Sequence, residues 1–169
     1  VILSSRSVAL SWATPRGLAA IAIAAAMIAV DQASKAWILY GLDLPTLGSV
    51  RVIWPLHLTM VWNQGVSFGL LRADHDIVRW ALFAFSVAVA AILAGWALRA
   101  SRWASAIGLG LVIGGAVGNA IDRARFGAVV DFIDVQQIGF FPWIFNVADS
   151  AISIGVCFLL LDSLRKDKG

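Results

Sequence analysis

Three otherwise apolar stretches of the chain are interrupted by polar groups: Asp31 and Lys35 in the first, Asn119, Asp122 and Arg123 in the second, Asn146 and Asp149 in the third. Ionisable side chains are costly in lipid, and those that persist there tend to be functional. Asp131 and Asp134 lie between the second and third groups and can reach the same layer. Two carboxylates a few ångström apart cannot both ionise easily, so they share a proton. One then activates a water while the other serves as acid toward a carbonyl, which is peptide hydrolysis of the aspartic type without a metal. The residues alone leave the pair open among Asp122, Asp131, Asp134 and Asp149. Asp31 and Lys35 are four apart, share a helix face and are expected to pair. Asn119 and Asp122 are three apart, as are Asn146 and Asp149, so each Asn is expected to hold its own neighbouring Asp by hydrogen bonds.

Other chemistries fit less well. Ser34 and Lys35 are adjacent and point about 100° apart on a helix, which suits a Ser/Lys pair poorly. Ser67 and Ser150 have no activating base at a credible spacing, and His57 and His75 show no metal-ligand spacing. Cys157, the one cysteine, stands in an apolar run and reads as a small buried hydrophobe. Neither a metal nor a cofactor is expected.

The elements that must position these acids are membrane helices. The 169 residues are 60% hydrophobic and 14% charged, with mean hydropathy +0.86. An ordinary soluble domain is about half apolar and about a quarter charged. A single membrane-embedded domain over 1–169 is expected, with a cytoplasmic tail at 1–16 and spans at about 18–39, 80–98, 103–121 and 145–161. The first span is expected to be retained, because it is long, carries charges at its far end and lacks a small-x-small cleavage site there. Arg6, Arg16, Arg99, Arg102, Arg165, Lys166 and Lys168 mark the cytoplasmic side, which holds both termini. Trp37, Tyr40, Trp80 and Trp143 then belong at the outer interface, Trp96 and Trp103 at the inner one, and the acid layer just below the outer surface. The connection 41–76 holds Pro45, Pro55 and alternating Leu58, Met60 and Trp62 before Asn63-Gln64-Gly65, which reads as short strands and a turn. With 122–144 it forms a small extracytoplasmic β platform at the bilayer surface, where non-helical backbone can be satisfied.

The net charge of +3, with no basic run interleaved with aromatics, excludes a nucleic-acid partner. A small transporter or proton channel would also put acids in the membrane, but along a path through it; here the inner halves of the spans hold almost no ionisable group. A non-catalytic scaffold leaves the acid layer unexplained.

Five segments together resemble the lipoprotein signal peptidase (signal peptidase II) family, across nearly the whole chain. They are Asp31-Gln32-Ala33-Ser34-Lys35, Asn63-Gln64-Gly65-Val66-Ser67-Phe68, the stretch Gly114 to Arg123, Val129-Val130-Asp131-Phe132, and Phe145-Asn146-Val147-Ala148-Asp149-Ser150. The resemblance implies an integral membrane α-helical fold of four transmembrane helices with an outer β-cradle, in the bacterial inner membrane. It implies Asp131 and Asp149 as the catalytic pair, with Asp122 supporting and paired to Arg123. Asn119 and Asn146 would orient the site; Asp31, Lys35, Asn63, Gly65, Gly115, Gly118, Val129 and Ala148 would support it or shape the pocket. The implied partners are membrane lipids and prolipoproteins whose cysteine carries diacylglycerol, cut just before that cysteine by a monomer. A chelator and serine-directed reagents are expected to leave cleavage of such a precursor unchanged in a gel-shift assay; loss with chelator and recovery with zinc would contradict this.

Overall fold

The computed structural model describes residues 13–65 and 75–164. Four of its helices are long and apolar enough to cross a membrane. They are α1 (Pro15–Ala36, continued by a π-helical turn at Trp37–Gly41), α3 (His75–Ala97), α4 (Trp103–Phe126) and α5 (Val147–Leu164). Between α1 and α3 lie the short α2 (Leu44–Leu47) and strands β1 (Ser49–Ile53) and β2 (Leu56–Asn63). Between α4 and α5 lie β3 (Val129–Asp134), a 3-10 turn at Gln136–Ile138 and β4 (Ile144–Phe145). The expected Arg6, Ser67, Arg165, Lys166 and Lys168 lie outside the described residues.

Each span is found near its expected place, with boundaries moved by local chemistry. The first begins at Pro15, so Pro15 and Arg16 belong to the helix rather than to a tail. Thr14 caps it, its hydroxyl accepting the Gly17 N–H at 2.8 Å, with Pro at the first helical position. The second begins five residues before Trp80, because Asp76 and Arg79 are helical although polar. The third runs on to Phe126 through Asp122, Arg123 and Arg125, and stops at Gly127, whose φ of 79° ends the helix in a left-handed cap. The fourth starts at Val147, because Ile144 and Phe145 pair as β4. Cys157 departs from expectation: it is exposed on the outside of the bundle, where apolar Ile154, Leu160 and Leu161 also point outward.

α4 is the central helix, and its glycines explain how two of its neighbours, α1 and α5, approach it. Gly110, Gly114 and Gly118 recur every four residues and face α1: a Cβ there would lie 2.7 Å from the Ala20 carbonyl oxygen, 2.9 Å from that of Ala24 and 2.5 Å from Asp31 Oδ2. Gly108 and Gly115 face α5, where a Cβ would lie 2.8 Å from Gly155 O and 2.5 Å from Ala148 O. Small residues allow helix backbones to come this close where no hydrophobic force drives them together in lipid.

The strands form one antiparallel sheet in the order β1-β2-β3-β4 at one end of the bundle, here called the sheet end. Ile38, Leu39 and Leu44 pack with Val130 and Phe132 of β3, joined by Val50, Leu58 and Met60. The sheet is thus seated on the extension of α1. Side chains alternate along a strand, so Asp131, between Val130 and Phe132, points away from this apolar cluster and toward α5.

Candidate active site

The site is built outward from Lys35, which is 2% exposed. Its ammonium contacts Asp31 Oδ2 at 2.9 Å and Asp122 Oδ2 at 2.7 Å, and donates to Asn119 Oδ1 at 3.1 Å. Both carboxylates are fully buried. Their other lone pairs are used as well. Asp31 Oδ1 accepts the Ala148 N–H at the start of α5 (3.0 Å), and Asp122 Oδ2 accepts the Val130 N–H on β3 (3.1 Å). The Gln32 amide bridges Asp31 Oδ2 (3.2 Å) and Asp122 Oδ1 (3.0 Å). A buried ion pair is tolerable only with this degree of satisfaction. Its effect is to tie α1, α4, α5 and β3 to one point.

Asn146 does two jobs. It caps α5: its Oδ1 accepts the Asp149 N–H at 2.9 Å while Asp149 Oδ2 accepts the Asn146 N–H at 3.2 Å, a reciprocal capping box. Its Nδ2 donates to Asp131 Oδ1 at 2.6 Å and to Asn119 Oδ1 at 3.2 Å. Asn119 Nδ2 donates to Asp149 Oδ1 at 2.8 Å. Two amides therefore link the two acids in one hydrogen-bonded chain, Asp131–Asn146–Asn119–Asp149. From the sheet, Asn63 Nδ2 donates to Asp131 Oδ2 at 2.9 Å, and Asn63 Oδ1 accepts the Gly65 N–H at 2.8 Å. The φ of 79° at Gly65 makes this turn a glycine position. Burial pushes the Asp131 carboxyl up to about 6; the nearby Asp149 carboxylate adds to this, while the Asn63 and Asn146 hydrogen bonds and Lys35 work against it.

Among the described residues, three clefts reach this layer. One, ≈ 400 Å³, lies over the sheet between Trp62, Asn63, Gln136 and Trp143 and ends on Asp131. A second, ≈ 330 Å³, runs between Phe141, Phe145, Ser150 and Ile154 and ends on Asp149. The third, ≈ 320 Å³ and mostly apolar, opens between α3, α4 and α5 and ends on Asn119 and Arg123.

All the residues expected at the site fall in this layer, but the pairing differs from expectation at two points. Asn119 holds Asp149 rather than Asp122, because α5 packs across α4 and presents its first turn there. Asp122 pairs with Lys35 and not with Arg123, whose guanidinium instead turns into the third cleft and donates to the Asn119 carbonyl at 3.4 Å. Gly115 and Gly118 admit Ala148 and Asp31, and Val129 pairs in register with Asn63. Asp134 is set apart, accepting from Thr59 Oγ1 at 2.8 Å and the Gln136 N–H at 3.0 Å. Ser34 and Ser150 donate to carbonyls of their own chain segment, at Asp31 and Asn146, and His57 stands opposite Asp134 on the sheet. Gln32 was not among the expected site residues; its one signal in sequence is an amide in an apolar span beside Asp31.

The family profile described as Signal peptidase (SPase) II matches residues 23–165. The lipoprotein signal peptidase of Caulobacter vibrioides is 52% identical over 156 residues, 92% of each chain. That of Methylorubrum extorquens is 46% identical, covering 83% of this chain and 82% of the other. A solved bacterial membrane enzyme superposes with a TM-score of 0.74 at 30% identity, covering 87% of this chain and 93% of that one.

Replacing Lys35 tests the centre of this arrangement. Lys35→Met leaves Asp31 and Asp122 buried without a countercharge. Removing one partner of a buried pair costs about 3–5 kcal/mol. The expected result is a large drop in melting temperature and folded yield in detergent; an unchanged melting curve would contradict it.

Proposed function

This chain belongs to the signal peptidase II family, a family of membrane-embedded peptidases, and on that premise we propose that it cuts the signal peptides from diacylglyceryl-modified prolipoproteins with Asp131 and Asp149 as an aspartic pair. The observation that carries this reading is Asn146, which donates to Asp131 at 2.6 Å and shares a capping box with Asp149, so that one side chain ties the two carboxylates together. The sheet end faces the periplasm, with the Trp96 and Trp103 end toward the cytoplasm. The signal helix of the substrate enters from the membrane through the cleft between α3, α4 and α5. The scissile carbonyl comes to rest between the two acids, and the mature chain leaves over the sheet, past Trp62 and Trp143.

The pair holds one proton between its members. The ionised carboxylate takes a proton from a water, whose oxygen attacks the carbonyl carbon, while the protonated carboxyl donates to the carbonyl oxygen. Collapse of the tetrahedral species breaks the C–N bond, and a proton passes to the departing nitrogen. The products are a signal peptide ending in a carboxylate and a lipid-modified cysteine with a free amino group. The Asn63, Asn119 and Asn146 amides keep both carboxylates aimed throughout.

Asp131→Asn and Asp149→Asn are each expected to lower cleavage of a lipid-modified precursor by about 10²–10⁴-fold, since Asn keeps the shape but neither shares a proton nor acts as a base. Both should remain folded and inserted, and Asp134→Asn should stay close to wild type. Substantial cleavage by either of the first two would disprove the pair. A pH series adds a second check. The Asp131 carboxyl is raised from 3.8 to about 6 in the fold, so the folded state holds this proton more tightly than the unfolded chain. The stability it contributes is complete below 3.8 and lost as pH rises through about 6. The melting temperature of Asp131→Asn should therefore gain on that of wild type across this window, and wild-type kcat/KM should fall on its alkaline side as the shared proton leaves.

A further inference from the structure

α3 is fastened to the bundle unevenly. Between Asp76 and Val89 it has no buried residue; the first is Ala90. From there Ala90, Leu93, Ala94 and Ala97 join the core around Leu109 and Ile113. The sheet-end half instead walls one side of the apolar cleft, through Leu82, Phe85 and Val89, facing Ala116 and Arg123 of α4 and Ile152 of α5. This wall is pinned by Arg79. Its Nε donates to the Arg123 carbonyl at 2.7 Å and its Nη2 to the Ala124 carbonyl at 2.8 Å. These carbonyls belong to the last turn of α4, where a cation is favoured by the helix dipole; the Arg123 carbonyl also accepts the Gly127 N–H at 3.1 Å. The guanidinium also lies over the Trp80 ring, 4.8 Å from its centre, and its contact with exposed Asp76 is a long 3.8 Å. Two donors in a fixed fork meeting two successive carbonyls is geometry that lysine does not reproduce.

We propose that Arg79 is a positioning residue of the peptidase: its fork latches the sheet end of α3 to the C-terminal carbonyls of α4, and so sets the width of the cleft that receives the apolar signal helix of the substrate. This rests on the peptidase reading above. Arg79 and Leu82 are three residues apart on one helix face, so releasing the first moves the wall formed by the second. A latch that shapes a substrate groove acts on binding of ground state and transition state alike. Its loss therefore raises KM and leaves kcat nearly unchanged, whereas a plain helix cap would change the melting temperature alone.

The test uses the full chain in detergent and bilayer nanodiscs, with a diacylglyceryl-modified precursor. Arg79→Gln should raise KM about five- to tenfold with kcat within about twofold, and Arg79→Lys, which reaches one carbonyl at a time, should fall between it and wild type. In parallel, spin labels on a Cys157→Ser background report the movement. Ile77→Cys with Val30→Cys, both exposed near the sheet end, should give a longer and broader distance distribution in Arg79→Gln. Ile92→Cys with Leu18→Cys, at the other end, should give an unchanged one. Unchanged sheet-end distances, an unchanged KM, or a loss of kcat at constant KM would each overturn the latch. The two readings fail separately: active Asp131→Asn with a raised KM in Arg79→Gln removes the catalytic pair and keeps the latch, and the reverse pattern does the opposite.

Discussion

One ammonium group between two carboxylates holds the site together. Lys35 and its partners Asp31 and Asp122 come from the first and third spans, and each carboxylate reaches on to a further segment, Asp31 to the Ala148 N–H and Asp122 to the Val130 N–H. Those two backbone positions adjoin the proposed catalytic pair: Val130 precedes Asp131, and Ala148 precedes Asp149. An isolated charge could not stay in such a place, since uncompensated burial is very costly. The network persists because each member answers another, and that mutual dependence is what transmits position from α1 to both acids.

The close approach of the helices follows from the same need. Lys35 can reach Asp122 and Asn119, and Gln32 can reach Asp122, only if α1 lies against α4, and Gly118 leaves the room: a Cβ there would stand 2.5 Å from the Asp31 carboxylate. Gly115 does the same for the first turn of α5. Packing and electrostatics are therefore not separable here. The glycines of α4 set how near the charges come, and the charges hold close a contact that lipid would otherwise leave weakly driven.

Much of this was legible in the chain itself. Polar groups at corresponding ends of three apolar runs disclosed the layer, and the Asn63-Gln64-Gly65 turn after alternating apolar residues disclosed the sheet. What remained hidden was tertiary. Spacing of three suggested that Asn119 holds Asp122, yet helix packing gives it Asp149, thirty residues on. Hydropathy ended the third span before Asp122 and opened the second after Arg79, because it counts a charge as an exit from the membrane even where pairing or capping keeps that charge on the helix. The role of Asn146 as a cap depended on where α5 begins, and Phe145, which pairs in β4, reads in sequence as part of the apolar run of the helix.

The double use of Asn146 has a consequence for assembly. The same amide side chain closes the first turn of α5 and holds Asp131 across from it. Closing the first turn of the last helix and fixing the Asp131 side chain thus draw on one residue. A nascent chain with its first three spans in place has Asp131 but neither Asp149 nor the Asn146 amide that bonds it. Such a chain lacks the hydrogen bonds that join Asp131 to Asp149 through Asn146 and Asn119, so on the proposed reading its two acids come together only when the final segment docks.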